Sequence, residues 1–156
     1  MINNLVNVLN YENIYLIANW GILPFWLLLI VMPNHSITNF LVQSIILPLI
    51  LASAYGFVAY NIFLEGNMLD SFELYYGLDG LYSMFSNEAF LLVFWLHFLA
   101  INLFIGSWIS RDSGRYVVNK FFVIISLVMT YFTGPLGLVF YWFIRIFYAK
   151  KISFND

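Results

Sequence analysis

The sequence predicts an all-α polytopic membrane protein, a four-transmembrane-helix bundle with a Gly-Pro break in the last helix. Three observations predict it. Of the 156 residues, 63% are hydrophobic and only 9% charged, whereas a soluble domain carries about a quarter charged. Too few polar side chains exist to cover a globule facing water. Mean hydropathy is +0.87. The apolar residues also fall into runs long enough to cross the hydrocarbon core of a bilayer. With no internal repeat and no low-complexity linker, residues 1–156 read as one transmembrane domain.

The first run, Ile14 to Met32, is about 19 residues and roughly 28 Å long as a helix, and Pro33-Asn34 closes it. The second, about Thr38 to Leu64, exceeds the minimum for a span and is expected to tilt or project. The short PNHS connection makes these two antiparallel neighbours. Residues 65–85 form a long loop with Glu65, Asp70, Glu73 and Asp79 and no basic residue. Within it, "DSFELYYGL" reads as a short interfacial helix capped by Asp70 or Ser71. The third span runs from about Glu88 to Ile109, and Arg111, Arg115 and Lys120 follow. The last run, Phe121 to Tyr148, is interrupted at residues 133–137 by "TGPLG", where Pro135 removes a helical hydrogen bond. The polar first 13 residues lack a basic n-region, so no removable signal peptide is expected.

Basic residues favour the cytoplasmic face. Arg111, Arg115 and Lys120 therefore set the third span's end inside and the 65–85 loop and N terminus outside. Four spans then carry the C terminus outside, although Arg145, Lys150 and Lys151 prefer the inside. A re-entrant turn at Gly134-Pro135 would remove the conflict. Residues 121–148 are too few for two full crossings, which need about 40, so four spans with a kinked last helix is the preferred arrangement.

Composition excludes several functions. The chain has no Cys, which removes disulfides, thiolate metal sites and thiol catalysis. A formal net charge of −2 leaves no basic footprint for nucleic acid. No Walker, Rossmann, HExxH or serine-hydrolase pattern occurs. Aromatic residues make up 21%, which suits lipid interfaces and flat conjugated ligands.

Polar residues concentrate on the third span. Glu88, Trp95, Asn102 and Gly106 fall within ~40° of each other on a helix, and His97 lies ~180° from Glu88 with Phe90, Ile101, Phe104 and Trp108. Both faces are expected to avoid lipid, which makes this helix the candidate centre of the bundle. Glu88 reads either as a first-turn acid favourable to the helix dipole or as a cavity-lining proton donor. His97 reads as a structural histidine bonded to a neighbouring helix or as a catalytic or ligand-orienting group. No metal is expected, because His35, the other histidine, sits in a predicted loop. Asp112 reads as a solvated partner of Arg111 and Arg115 or as a catalytic acid. Elsewhere, Asn19 and Trp26 share a face, as do Gln43, Ala54 and Asn61. Ser126, Thr130, Thr133 and Gly137 form a small-residue stripe suited to helix packing.

Three stretches, "ANWGILPFWLLLIVMPNHSIT", "FSNEAFLLVFWLHFLAINLFIGSWISRD" and "GPLGLVFYWFIR", together resemble the ABA-deficient-4-like membrane family. The resemblance runs from Asn19 to Arg145. The family pattern sets a Trp-x-His before an acidic-Leu-Phe triplet. Here these are Trp95-Leu96-His97 and Asn102-Leu103-Phe104, with Asn in the acidic position. Plant members of the family are needed to make neoxanthin from violaxanthin. The resemblance therefore implies a protein that binds or acts on a carotenoid- or retinoid-type polyene, including epoxide-to-allene isomerisation by acid–base chemistry. Glu88, His97 and Asp112 are then the catalytic candidates, and Asn19, Trp26, Trp95 and Asn102 the substrate-binding ones. No cofactor is implied beyond a bound polyene. Expected partners are membrane lipid, an apolar small molecule, and a second copy or a larger membrane complex, in a bacterial inner membrane or a plastid-type membrane. The alternative is a pigment-binding protein or a small stabilising subunit that catalyses nothing.

Overall fold

The computed structural model describes residues 10–44, 46–64, 72 and 75–150. Among the described residues all regular structure is helical: α1 Tyr11–Gly21, α2 Leu23–Val31, α3 Ser36–Leu41, α4 Ile46–Leu64, α5 Leu78–Phe85, α6 Glu88–Arg115, α7 Lys120–Thr133 and α8 Pro135–Ala149. Three stretches are long and apolar enough to cross a membrane: Tyr11–Val31, Ser36–Leu64 and Glu88–Arg115. Glu65, Asp70, Ser71, Glu73 and Lys151 lie outside the described residues, and with them most of the expected interfacial helix. A helix of eight residues, α5, closes that loop.

Local chemistry sets the boundaries. Asn87, and not Glu88, caps α6: its Oδ1 accepts from the Ala89 N–H at 2.9 Å, which leaves Glu88 in the first turn. Asn119 caps α7 in the same way through the Phe121 N–H at 2.9 Å. Between α3 and α4 the Ser44 hydroxyl donates to the Phe40 carbonyl, and Gln43 Nε2 donates back to the Pro33 carbonyl at 2.9 Å. The C-terminal end of α6 turns through Val117 at φ +52°, and the Val118 N–H reaches back to the Ser113 carbonyl at 3.0 Å. That pattern usually places Gly where Val117 stands.

The chain forms two compact units, Met1–Gly21 with Leu49–Leu99, and Ile22–Pro48 with Ala100–Asp156. In the first, helical stripes converge on one core. Ile14 comes from α1, Val58 and Ile62 from α4, and Ala89, Leu92 and Leu96 from α6, with Ala18 and Ala54 packed against them.

In the second unit the last apolar run forms two helices that double back. Gly134 sits at φ +59°, ψ −89°, a conformation that L side chains rarely adopt. Pro135 then opens α8 at a position where its missing N–H costs nothing. A Cβ on Gly137 would stand 2.6 Å from Thr130 Cα. In one continuous helix these residues, two turns apart, would be separated by roughly 10 Å. The buried hydroxyls on the facing stripe are satisfied within α7, Ser126 donating to the Phe122 carbonyl at 2.8 Å and Thr130 to the Ser126 carbonyl at 2.7 Å. At its far end α8 brings Tyr141 and Arg145 back to Asp112 of α6 and to Tyr116 just beyond it, close to where α7 began. The single kinked helix expected for residues 121–148 is therefore not what forms. The left-handed glycine and the small stripe turn a proline kink into a reversal. The two helices, 14 and 15 residues long, are each roughly 21–22 Å, short of the ~30 Å hydrocarbon core.

Gly137→Ala forces the Thr130 backbone away and is expected to destabilise the detergent-solubilised protein by about 2–3 kcal/mol. Gly56→Ala, on α4 with nothing within 4 Å of the added carbon, is expected to be neutral or to stabilise by up to about 1 kcal/mol through helix propensity. Thermal unfolding of the two variants beside wild type measures the contrast.

Candidate functional site

The polar residues of α6 separate into distinct settings. At its N-terminal end, in the first unit, Glu88 and Trp95 line a cleft of about 410 Å³ with Tyr11, Glu12, Tyr15 and Leu91. Glu12 and Glu88 each occupy the first turn of their helices, where a carboxylate is favoured by the helix dipole. Trp95 stacks on Phe98 with centroids 5.3 Å apart and tilts against Tyr15 at 6.0 Å. Its indole Nε1 is buried and has no hydrogen-bond partner among the described residues. A buried N–H without a partner costs on the order of 1–3 kcal/mol. Asn19, half-buried on α1, is not among the residues lining it.

His97 faces elsewhere. It belongs to an exposed stripe of α6 with Leu91, Phe94, Ile101 and Phe104. It borders a separate cleft of about 340 Å³ walled by Tyr55, Met84, Phe85, Phe90 and Phe94, its ring 6.4 Å from that of Tyr55. The expectation that both faces of this helix are shielded is thus met at neither Glu88 nor His97, which are both exposed. Burial follows the Ala89, Leu92, Leu96 and Leu99 stripe, and His97 points away from it.

Asn102 and Trp26 are packed inside the second unit. Asn102 is 4% exposed, and its Oδ1 abuts Gly134 so closely that any Cβ there would overlap it. Its Nδ2 has no partner among the described residues. The Trp26 ring lies on Gly106, where a Cβ would stand 2.6 Å from the indole, and meets Tyr131 edge-on at 5.5 Å. The shared helical face of Glu88, Trp95, Asn102 and Gly106 therefore serves a cleft at one end and helix packing at the other.

Asp112 is buried, not solvated. Its Oδ2 accepts from Arg145 Nε at 2.8 Å and from the Tyr141 hydroxyl at 2.7 Å, with the side chains of Arg145 and Asp112 only 0% and 5% exposed. Arg145 also donates to the Tyr116 hydroxyl at 3.3 Å and lies 4.8 Å above that ring. Trp108 meets Tyr141 edge-on at 5.7 Å. The neighbouring Arg111 and Arg115 point outward. A signal for this pairing was present. Tyr141 and Arg145 lie four residues apart on one helical face, and a lone Arg in an apolar helix requires an acid. Glu12 was also missed, its signal being a second first-turn acid like Glu88. No group of three metal-ligating side chains forms among the described residues.

Arg145→Met leaves the Asp112 carboxylate buried without its cation and is expected to cost about 3–5 kcal/mol. The double variant Arg145→Met/Asp112→Leu removes both charges and is expected to recover most of that loss. Unfolding midpoints in detergent report both.

Comparison with known proteins agrees with these landmarks. A family model described as ABA4-like, ABA DEFICIENT 4-like, matches residues 13–141. The protein ABA DEFICIENT 4, chloroplastic, from Arabidopsis thaliana is 27% identical over 104 residues, which cover 65% of this chain and 47% of that protein. The match spans about half the relative's length. No solved structure matches. Glu12 lies just outside the family match, whereas Glu88, Trp95, His97, Asp112 and Tyr141 lie within it. With most of its length matched, from the start of the first apolar helix to the tyrosine that meets Asp112, the chain belongs to the ABA DEFICIENT 4-like family.

Proposed function

We propose that the protein is an integral membrane protein that binds a carotenoid-type polyene and rearranges its oxygenated end group by acid–base chemistry in the Glu12–Glu88 cleft. The observation that carries this reading is the cleft itself: two carboxyl groups, an indole and two tyrosine rings around one space. Its size falls within the range of small-molecule pockets. It admits a cyclic end group while the chain of the polyene runs along apolar surface such as Leu91.

Epoxide-to-allene isomerisation needs one proton given and one taken. A carboxyl group protonates the epoxide oxygen as its C–O bond breaks. A carboxylate removes the vinylic proton from the polyene carbon beside the ring, and the electrons of that C–H bond form the cumulated double bond. Product and substrate have the same formula, so no electrons are exchanged with a redox partner. Glu88 and Glu12 fit the two roles better than Glu88 with His97, which faces a different cleft, or with Asp112, which is held by Arg145 and Tyr141.

Both acids stand at helix N-termini, so the cleft belongs at the membrane surface, where the oxygenated end of a polyene resides. Three spans are supported by length and composition. The doubled-back α7 and α8 are then a re-entrant pair, with Arg111, Arg115, Lys120, Arg145 and Lys150 all on the cytoplasmic side. This resolves the charge conflict that four spans create. The address in the relative's name, chloroplastic, favours a plastid-type membrane over a bacterial one.

A second reading, pigment binding without conversion, is favoured by the His97 cleft, which has aromatic walls and no acid among the described residues. Expression in a carotenoid-producing host followed by pigment chromatography separates the two. Conversion is expected with wild type, and a fall of about a hundredfold or more with Glu88→Gln or Glu12→Gln, while pigment still co-purifies. Co-purified pigment with an unchanged carotenoid profile would leave binding alone. Full activity of Glu88→Gln would remove the acid–base scheme.

A further inference from the structure

The second unit holds a cavity of about 590 Å³ that the reading above does not use. Its wall combines Asn34 and His35 after α2, Ser110 of α6, and Lys120 at the start of α7, with Leu29 and Val123 among its apolar residues. Among the described residues no Asp or Glu lines it. Ser110 is 2% exposed, and its hydroxyl has no hydrogen-bond partner among the described residues. His35 Nδ1 accepts from the Ile37 N–H at 3.2 Å, so the proton of the neutral ring lies on Nε2 and can be donated. Lys120 brings a full charge and the positive end of a 14-residue helix.

Donors without acids, beside apolar walls, describe a receptor for an oxyanion carried on a greasy molecule. We infer that this cavity binds a phosphate group, and that its apolar side takes the acyl chains of an anionic phospholipid. Lys120 supplies the counter-charge, and Ser110 gains the partner it lacks. The position fits, since Arg111 and Arg115 mark this end of α6 as the basic membrane face, where anionic lipids collect. This inference does not depend on polyene chemistry in the first unit.

The test uses the full chain in detergent, with native mass spectrometry to count retained lipid and a thermal midpoint measured in parallel. The probes are phosphatidylglycerol, diacylglycerol with the same acyl chains, and inorganic phosphate. Phosphatidylglycerol is expected to be retained and to raise the midpoint, and diacylglycerol to do neither. Lys120→Gln is expected to weaken retention about tenfold. Arg111→Gln, which removes an exposed charge outside the cavity wall, is expected to leave it unchanged. Ser110→Ala is expected to weaken retention while leaving the lipid-free midpoint level or higher, because an orphan hydroxyl is removed. If inorganic phosphate raises the midpoint as much as the lipid does, the anion site stands and its source is free phosphate. Equal retention of diacylglycerol, equal losses in Lys120→Gln and Arg111→Gln, or a lower lipid-free midpoint in Ser110→Ala would overturn the inference.

Discussion

In a chain with so few charges, each buried one must be answered, and the pairing of Asp112 with Arg145 is the constraint on which the second unit depends. The two residues lie 33 positions apart. They can meet only if α8 returns along α6, which requires the chain to reverse at Gly134 and α7 and α8 to approach closely at Gly137. Tyr141 supplies a second donor to the same carboxylate oxygen, and Tyr116 takes the other side of the guanidinium. A buried ion pair contributes little net stability over an apolar replacement. It does penalise arrangements that would leave either charge alone, and so acts as a selector of the helical return.

Much of this arrangement was legible in the sequence. Apolar runs gave the three long stretches, because a bilayer demands length and hydrophobicity together. The stripe of Ser126, Thr130 and Gly137 signalled close helix packing. What it packs against was not visible, because a periodicity analysis takes the helix as continuous and places all three residues on one face of one rod. The charge conflict around Arg145 and Lys150 was a sign that continuity fails at Gly134. Proline alone predicts a bend. Only a glycine with positive φ, backed by a partner for Arg145, makes a reversal.

The candidate site was partly legible for a different reason. Helical geometry correctly set Glu88 and His97 on opposite sides of α6, and the shared face of Glu88 and Trp95 became one cleft wall. That face does not continue as a site to Asn102, because Gly134 fills the space beside it. Glu12 was obscured by its setting in a polar N-terminal stretch, where an acid reads as a solvated residue. Asp112 was assigned to its nearest basic neighbours in sequence, although Arg111 and Arg115 are exposed while Asp112 is buried against α8.

The returning helical pair also bears on how the protein is made. Its tip carries no charged side chain, and on the re-entrant reading proposed above both its ends stay at the basic face. On that reading membrane insertion needs to thread only the earlier apolar stretches across, while residues 120–149 enter from the basic side without crossing. Helices α7 and α8 can settle after the rest of the chain is in place. Formation of the Asp112–Arg145 contact then marks the completion of assembly.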